Sequence, residues 1–124
     1  VSSRKQLKSR VFSIFAENTL KEENSISNLY EKIKFLSYKS SSVTRSFGSS
    51  ALNFAWLASG KIDCLFVNKL NKNQIACGEL LIKEAGGYLT NLKYINAFNA
   101  HDHFSVGANP TLHKEIIKKL KNKA

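Results

Sequence analysis

Leu70-Asn71-Lys72-Asn73-Gln74-Ile75-Ala76-Cys77-Gly78-Glu79-Leu80-Leu81-Ile82-Lys83-Glu84-Ala85-Gly86-Gly87 is the stretch that decides the fold. Its first residues are polar and suit a loop. Asn73–Glu84 then reads as a helix, with Ile75, Ala76, Leu80 and Leu81 expected inward. The Gly86-Gly87 pair stops it, because glycine tolerates the backbone turn that ends a helix. Tyr88–Thr90 starts a strand directly afterwards. Loop, helix, glycine stop and strand form one unit of an alternation that recurs along the chain.

Upstream, Lys8–Ala16 holds Val11, Phe12, Ile14 and Phe15, a β-rich run. Asn24 or Ser25 can cap a segment in which Ile26, Leu29, Tyr30, Ile33 and Leu36 recur at helical spacing. Val43–Phe47 is a short strand that ends at Gly48. Ser49 or Ser50 can cap a helix through Ala58, and Gly60 stops it. Asp63–Val67 is a compact apolar strand. Downstream, Asn91 to His103 is polar and irregular, and Phe104–Ala108 is a last strand. Asn109-Pro110 opens a final helix with Pro at its first position and Leu112, Ile116, Ile117 and Leu120 facing in. Five strands and four helices predict an α/β fold: one layered five-stranded mixed sheet with helices on both faces.

A length of 124 residues with one Pro and six Gly suits a single domain over 1–124, without linkers. The 43% hydrophobic content suits a packed core. No window approaches 18 uninterrupted apolar residues, so no transmembrane helix or membrane contact is expected. The N-terminal residues have no apolar stretch behind their charges, so no signal peptide is expected. Cys64 and Cys77 lie in apolar surroundings and read as reduced, buried small hydrophobes, which points to a cytoplasmic location. The net charge of +10 comes mostly from Lys. With Arg only at 4, 10 and 45, it reads as a solvated lysine-rich surface more than a phosphate reader. The basic run Lys114 to Lys123 fits the outer face of the last helix.

Four short motifs now fall into order: Arg45-Ser46-Phe47-Gly48-Ser49-Ser50-Ala51-Leu52, Ala58-Ser59-Gly60-Lys61-Ile62-Asp63, Glu84-Ala85-Gly86-Gly87 and Ala108-Asn109-Pro110. Together they resemble the C-terminal half of the inositol monophosphatase family, in particular the bacterial branch that includes the extragenic suppressor protein. Val1 to Leu7 is similar to the stretch opening that half, so the resemblance covers nearly the whole chain. It implies a subdomain of the sugar-phosphatase fold, with an active site at the junction of two stacked halves. The family reaction it implies is Mg²⁺-dependent hydrolysis of inositol and related polyol phosphates.

The resemblance also identifies what this chain departs from. The family's N-terminal metal motifs, a Glu-Glu pair and an Asp-Pro-Ile-Asp-Gly-Thr-type loop, do not occur. Asp63 and Asp102 are the only Asp residues. Gln74 stands at the family's metal-binding Asp position, and Val67 at its substrate-holding Glu position. Gly48, Ser49 and Ser50 keep the turn that lies against substrate. Mg²⁺ needs oxygen ligands with charge, and two such ions would activate water and neutralise the leaving oxygen. The chain alone is therefore expected to be inactive, with no catalytic residue, no metal ligand and no cofactor. It reads as a truncated or degenerate member. The resemblance also implies two alternatives: an RNA-, RNA-polymerase- or protein-binding module, or one half of a split phosphatase. A missing N-terminal half or a homo-oligomer is then the expected partner, with an apolar face left open.

Other candidates are weaker. His101-Asp102-His103 matches no standard zinc spacing, and His113 lies beyond a strand. No Gly-x-Ser-x-Gly elbow supports a Ser/His triad. Trp56 with Leu52, Phe54 and Leu57 is expected in the core. Glu79 can pair with Lys83 at i,i+4. Neither Glu79 nor Glu84 is assigned catalysis.

Overall fold

A computed structural model describes residues 1–16, 24–40, 42–68, 70–99 and 104–122. The elements are β1 (Val11–Ala16), α1 (Asn24–Lys39), β2 (Val43–Arg45), α2 (Ser50–Ala58), β3 (Cys64–Asn68), α3 (Lys72–Glu84), β4 (Tyr88–Thr90), β5 (Ser105–Ala108) and α4 (Pro110–Asn122). The sheet order is β2-β1-β3-β5-β4. β1 runs parallel to β2 and β3, and β5 is antiparallel to both of its neighbours. The expected mixed five-stranded sheet is what forms.

Strand alternation sorts the core into two layers. Phe12, Cys64, Phe66, Val106 and Ala108 pack with Ile33 and Leu36 of α1 and Leu112, Ile116 and Leu120 of α4. On the other face, Leu65, Val67 and Leu89 pack with Phe54 and Leu57 of α2 and Ile75 and Ile82 of α3. Helices therefore cover both faces. Phe12 and Phe66 meet edge to face across the first layer at 5.5 Å.

Several strand limits are shorter than the sequence implies. β1 begins at Val11, because Ser9 adopts φ 60 and turns the chain. β2 ends at Arg45, before the turn through Gly48. Asp63 precedes β3 and is buried. Its Oδ2 accepts from the Val11 N–H at 2.9 Å, and Arg4 Nη1 lies 3.4 Å from Oδ1. That carboxylate ties the chain entering β1 to the chain entering β3.

α3 corrects the expected inward face. Ile75, Gly78 and Ile82 are buried, whereas Leu80 is 61% exposed and Leu81 is also exposed. Ala76 is half-buried. The reason is Gly78. A Cβ there would lie 2.5 Å from the Phe54 ring, so the missing side chain lets α2 and α3 approach and sets which stripe of α3 turns in. Cys77 rotates outward as a result. It is exposed and unpaired, against the expectation of burial, while Cys64 is buried as expected. Leu52 is likewise exposed rather than in the core. Trp56 is partly buried and packs edge to face on Phe47 at 4.6 Å. Among the described residues, no helix is long and apolar enough to cross a membrane.

Candidate functional site

β1, β2 and β3 run in one direction, so their carboxyl ends share an edge, the usual ligand edge of an open α/β sheet. β2 leads through Ser46–Ser49 into α2, and β3 leads through Asn71 into α3. The N-termini of both helices therefore arrive at that edge.

Ser49 is the N-cap of α2. Its backbone is extended, and its hydroxyl accepts from the Leu52 N–H at 3.2 Å. The Asn53 backbone N–H donates to Ser49 O at 3.1 Å and closes the same turn. The Ser50 and Ala51 N–H groups have no protein acceptor among the described residues, and they carry the positive end of the helix dipole. Gly48 is exposed, and nothing lies within 4 Å of where its Cβ would stand. No neighbour among the described residues requires glycine at that position.

Sequence reasoning missed the residue that fixes this turn. Asn53 is fully buried in α2. Its Nδ2 donates to Phe47 O at 3.1 Å and Ser49 O at 2.7 Å, and its Oδ1 accepts from the Ser13 hydroxyl of β1. One amide thus ties the Gly48–Ser50 turn to the middle of the sheet. The available signal was a lone amide inside the apolar run Ser50-Ala51-Leu52-Asn53-Phe54-Ala55-Trp56-Leu57.

Gln74 lies at the start of α3, close to Ser50. Asn71 and Gln74 form a reciprocal capping box: Asn71 Oδ1 accepts from Gln74 N–H at 2.9 Å, and Gln74 Oε1 accepts from Asn71 N–H at 3.1 Å. Gln74 Nε2 also points to Ser50 Oγ at 3.5 Å. The structure thus brings Gln74 and Ser50 together at the junction of two helix starts.

Val67 is 1% exposed and faces the α2–α3 core. It stands opposite Phe15 on β1 and Ser105 on β5. Among the described residues, the buried Ser105 hydroxyl finds no hydrogen-bond partner, nor does Asn68 Oδ1 at the end of β3.

These donors do not fit a Mg²⁺ ion by themselves. Gln74 Oε1 is committed to a backbone N–H, Val67 is apolar, and Asp63 lies at the opposite end of β3. A hard divalent cation needs several oxygen ligands, with carboxylate charge among them. Among the described residues, no three His, Cys, Asp or Glu side chains gather to hold a metal. His101, Asp102 and His103 lie outside the described residues.

The remaining candidates have structural roles. His113 is fully buried. Its Nε2 lies 2.8 Å from Thr90 Oγ1, and that hydroxyl donates to Asn91 O. Nε2 must then carry the proton, which leaves Nδ1 bare and, among the described residues, without a partner. Burial lowers the His113 pKa to about 4. Burial, then the Asp63 charge, raises the Cys64 thiol well above its usual value, so it is no nucleophile. Glu79 accepts from the Phe98 backbone N–H instead of bridging to Lys83.

Two helix N-termini thus converge at the carboxyl edge of an α/β layer. The chain belongs to the inositol monophosphatase family, whose model matches residues 1–124. It is 38% identical over 76 residues to a fructose-1,6-bisphosphatase/inositol-1-monophosphatase of Thermotoga maritima, covering 60% of this chain and 28% of that protein. It is 33% identical over 76 residues to Nus factor SuhB of Pasteurella multocida, covering 61% and 28%. The crystal structure of extragenic suppressor protein suhB from Bartonella henselae superposes with a TM-score of 0.82 at 23% identity, over 100% of this chain and 46% of that one. The chain thus spans under half the length of that structure.

Proposed function

We propose that this chain is the substrate-side half of an inositol monophosphatase-like fold and does not hydrolyse phosphate esters by itself. The observation that carries this reading is the state of Gln74. Its carbonyl oxygen caps its own helix, and it holds no charge with which to bind a cation beside Ser50. Gly48, Ser49 and Ser50 remain suited to the phosphate or polyol part of a substrate. They offer free N–H groups at a helix start, and the open space at Gly48 lets a ligand approach the backbone. Mg²⁺ and the carboxylates that bind it would come from a complementary half, held in the cytoplasm as a separate chain or a further segment.

A Mg²⁺-dependent phosphate-release assay on inositol 1-phosphate tests this. The chain alone is expected to show no turnover above buffer. Mg²⁺-dependent turnover that survives Ser49→Ala would overturn the reading. In a complex with a half bearing the missing carboxylates, Gln74→Asp with Val67→Glu is the informative rescue. The orphan Ser105 hydroxyl opposite Val67 could donate to the new carboxylate.

The net charge of +10 and relatives named Nus factor support a second reading, contact with RNA or RNA polymerase. RNA affinity that falls steeply with salt would favour it, since phosphate contacts release counterions. Affinity indifferent to salt would count against it.

A further inference from the structure

The edge opposite the candidate site holds a cleft of about 410 Å³ between α1, α4 and the segment leading into β1. That volume lies within the roughly 300–1,000 Å³ of small-molecule sites. Its floor is apolar, made by the buried side chains of Leu7 and Leu36. Lys8, Lys39 and Lys119 line it together with one carboxylate, Glu115. Three lysines come here from three separate segments of the chain, so no local basic run accounts for the cluster.

The charges do not cancel. Glu115 lies 3.9 Å from Lys119 and offsets it. Lys39 rests 5.9 Å above the Phe35 ring, and among the described residues neither Lys8 nor Lys39 makes an ion pair. Two ammonium charges are left over. Two carbonyls at the end of α1 are already taken: Leu36 O accepts from the Ser40 hydroxyl at 2.7 Å, and Ser37 O from the Ser42 N–H at 2.8 Å. Ser40, whose hydroxyl is held by Leu36 O, lines the cleft at the end of α1.

We propose that this cleft binds a small phosphate monoester carrying hydroxyl groups, such as a sugar or nucleoside monophosphate. Such a group carries about −1.5 to −2 charge at neutral pH, which matches the excess of the lysines. Lys8 and Lys39 hold the phosphate, and the carbon skeleton rests on Leu7 and Leu36. Glu115 accepts from the ligand's hydroxyls. The same carboxylate repels a second phosphate, which disfavours polyphosphates and nucleic-acid strands. The site is distinct from the Gly48–Ser50 turn, which lies at the other end of the parallel strands.

Backbone amide NMR of the full chain, titrated with ribose 5-phosphate, AMP, inorganic phosphate or an oligouridylate, tests the assignment. Ribose 5-phosphate or AMP is expected to shift the amides of Leu7, Lys8, Lys39 and Ser40, and to bind more tightly than inorganic phosphate. Lys8→Ala with Lys39→Ala is expected to weaken binding about tenfold, the effect of losing two charged contacts. Glu115→Gln should narrow the preference for the hydroxyl-bearing esters over inorganic phosphate. Ser49→Ala should leave the shifts at Leu7, Lys8, Lys39 and Ser40 as they are, which separates this site from the proposed half-active site. Both lysines are exposed, and a thermal melt confirms that the variants fold. Shifts confined to Gly48–Ser50, affinity unaltered in the double lysine variant, or an oligouridylate that binds the cleft more tightly than the monoesters would each overturn it.

Discussion

Gln74 shows how a single residue can serve the fold and vacate the chemistry. At the third helical position an amide is as good a capping partner as a carboxylate, so α3 starts normally. A metal would instead require an oxygen with charge, free to turn away from the backbone. His113 is a second residue whose setting fixes its chemistry. Its pKa is about 4 in the fold and near the ordinary 6.5 once unfolded. The unfolded chain therefore binds more protons between these values. Stability from the neutral imidazole is complete above pH 6.5 and is lost as pH falls towards 4. The loss should approach about 3 kcal/mol at the lower end. Urea denaturation across this range should show the slope, and His113→Gln should flatten it. A slope unchanged by that substitution would remove the explanation.

At the scale of elements, polar side chains anchor the starts of α2 and α3. Asn53 ties the turn before α2 to β1, and Asn71 starts α3. The two amides should differ in weight. Asn71→Ala removes an exposed cap and should cost about 1 kcal/mol. Asn53→Ala strands the buried Ser13 hydroxyl and the Phe47 carbonyl, and should cost about 2–4 kcal/mol in total. Chemical denaturation midpoints check the ranking, which equal losses would contradict. The helix limits were legible beforehand, because caps, glycine stops and Pro110 are local signals. The inward stripe of α3 was not. Leu80 and Leu81 are apolar enough to be core, and only the Phe54 ring lying against Gly78 decides that Ile82 turns in.

For the whole molecule, the two helical layers differ in their outer faces. The α1–α4 layer exposes Lys34, Lys39, Lys114, Lys118, Lys119 and Lys121. The α2–α3 layer exposes Ala51, Leu52, Ala55, Cys77, Leu80 and Leu81, with Lys72, Lys83 and Glu84 at the ends of α3. α2 contains no charged residue at all. An apolar outer face of that kind associates in water unless something covers it. Sedimentation velocity should show self-association that rises with concentration. Leu80→Lys with Leu81→Glu should shift the chain towards monomer while leaving its melting temperature nearly unchanged, because both side chains are exposed. A monodisperse monomer at high concentration would argue against an open docking face.

The order of elements, the α/β class and the Gly48–Ser50 turn follow from local chemistry: hydrophobic period, caps and glycines act over a few residues, and one chain suffices to read them. The absence of carboxylates at positions 67 and 74 is equally a matter of sequence. Long-range packing alone decided the rest. It placed Asn53 beneath the turn, turned Cys77 and Leu80 outward, buried His113 against Thr90, and drew Lys8, Lys39 and Lys119 around one cleft. Those outcomes depend on which surfaces meet across the sheet, and no window of neighbouring residues contains that information.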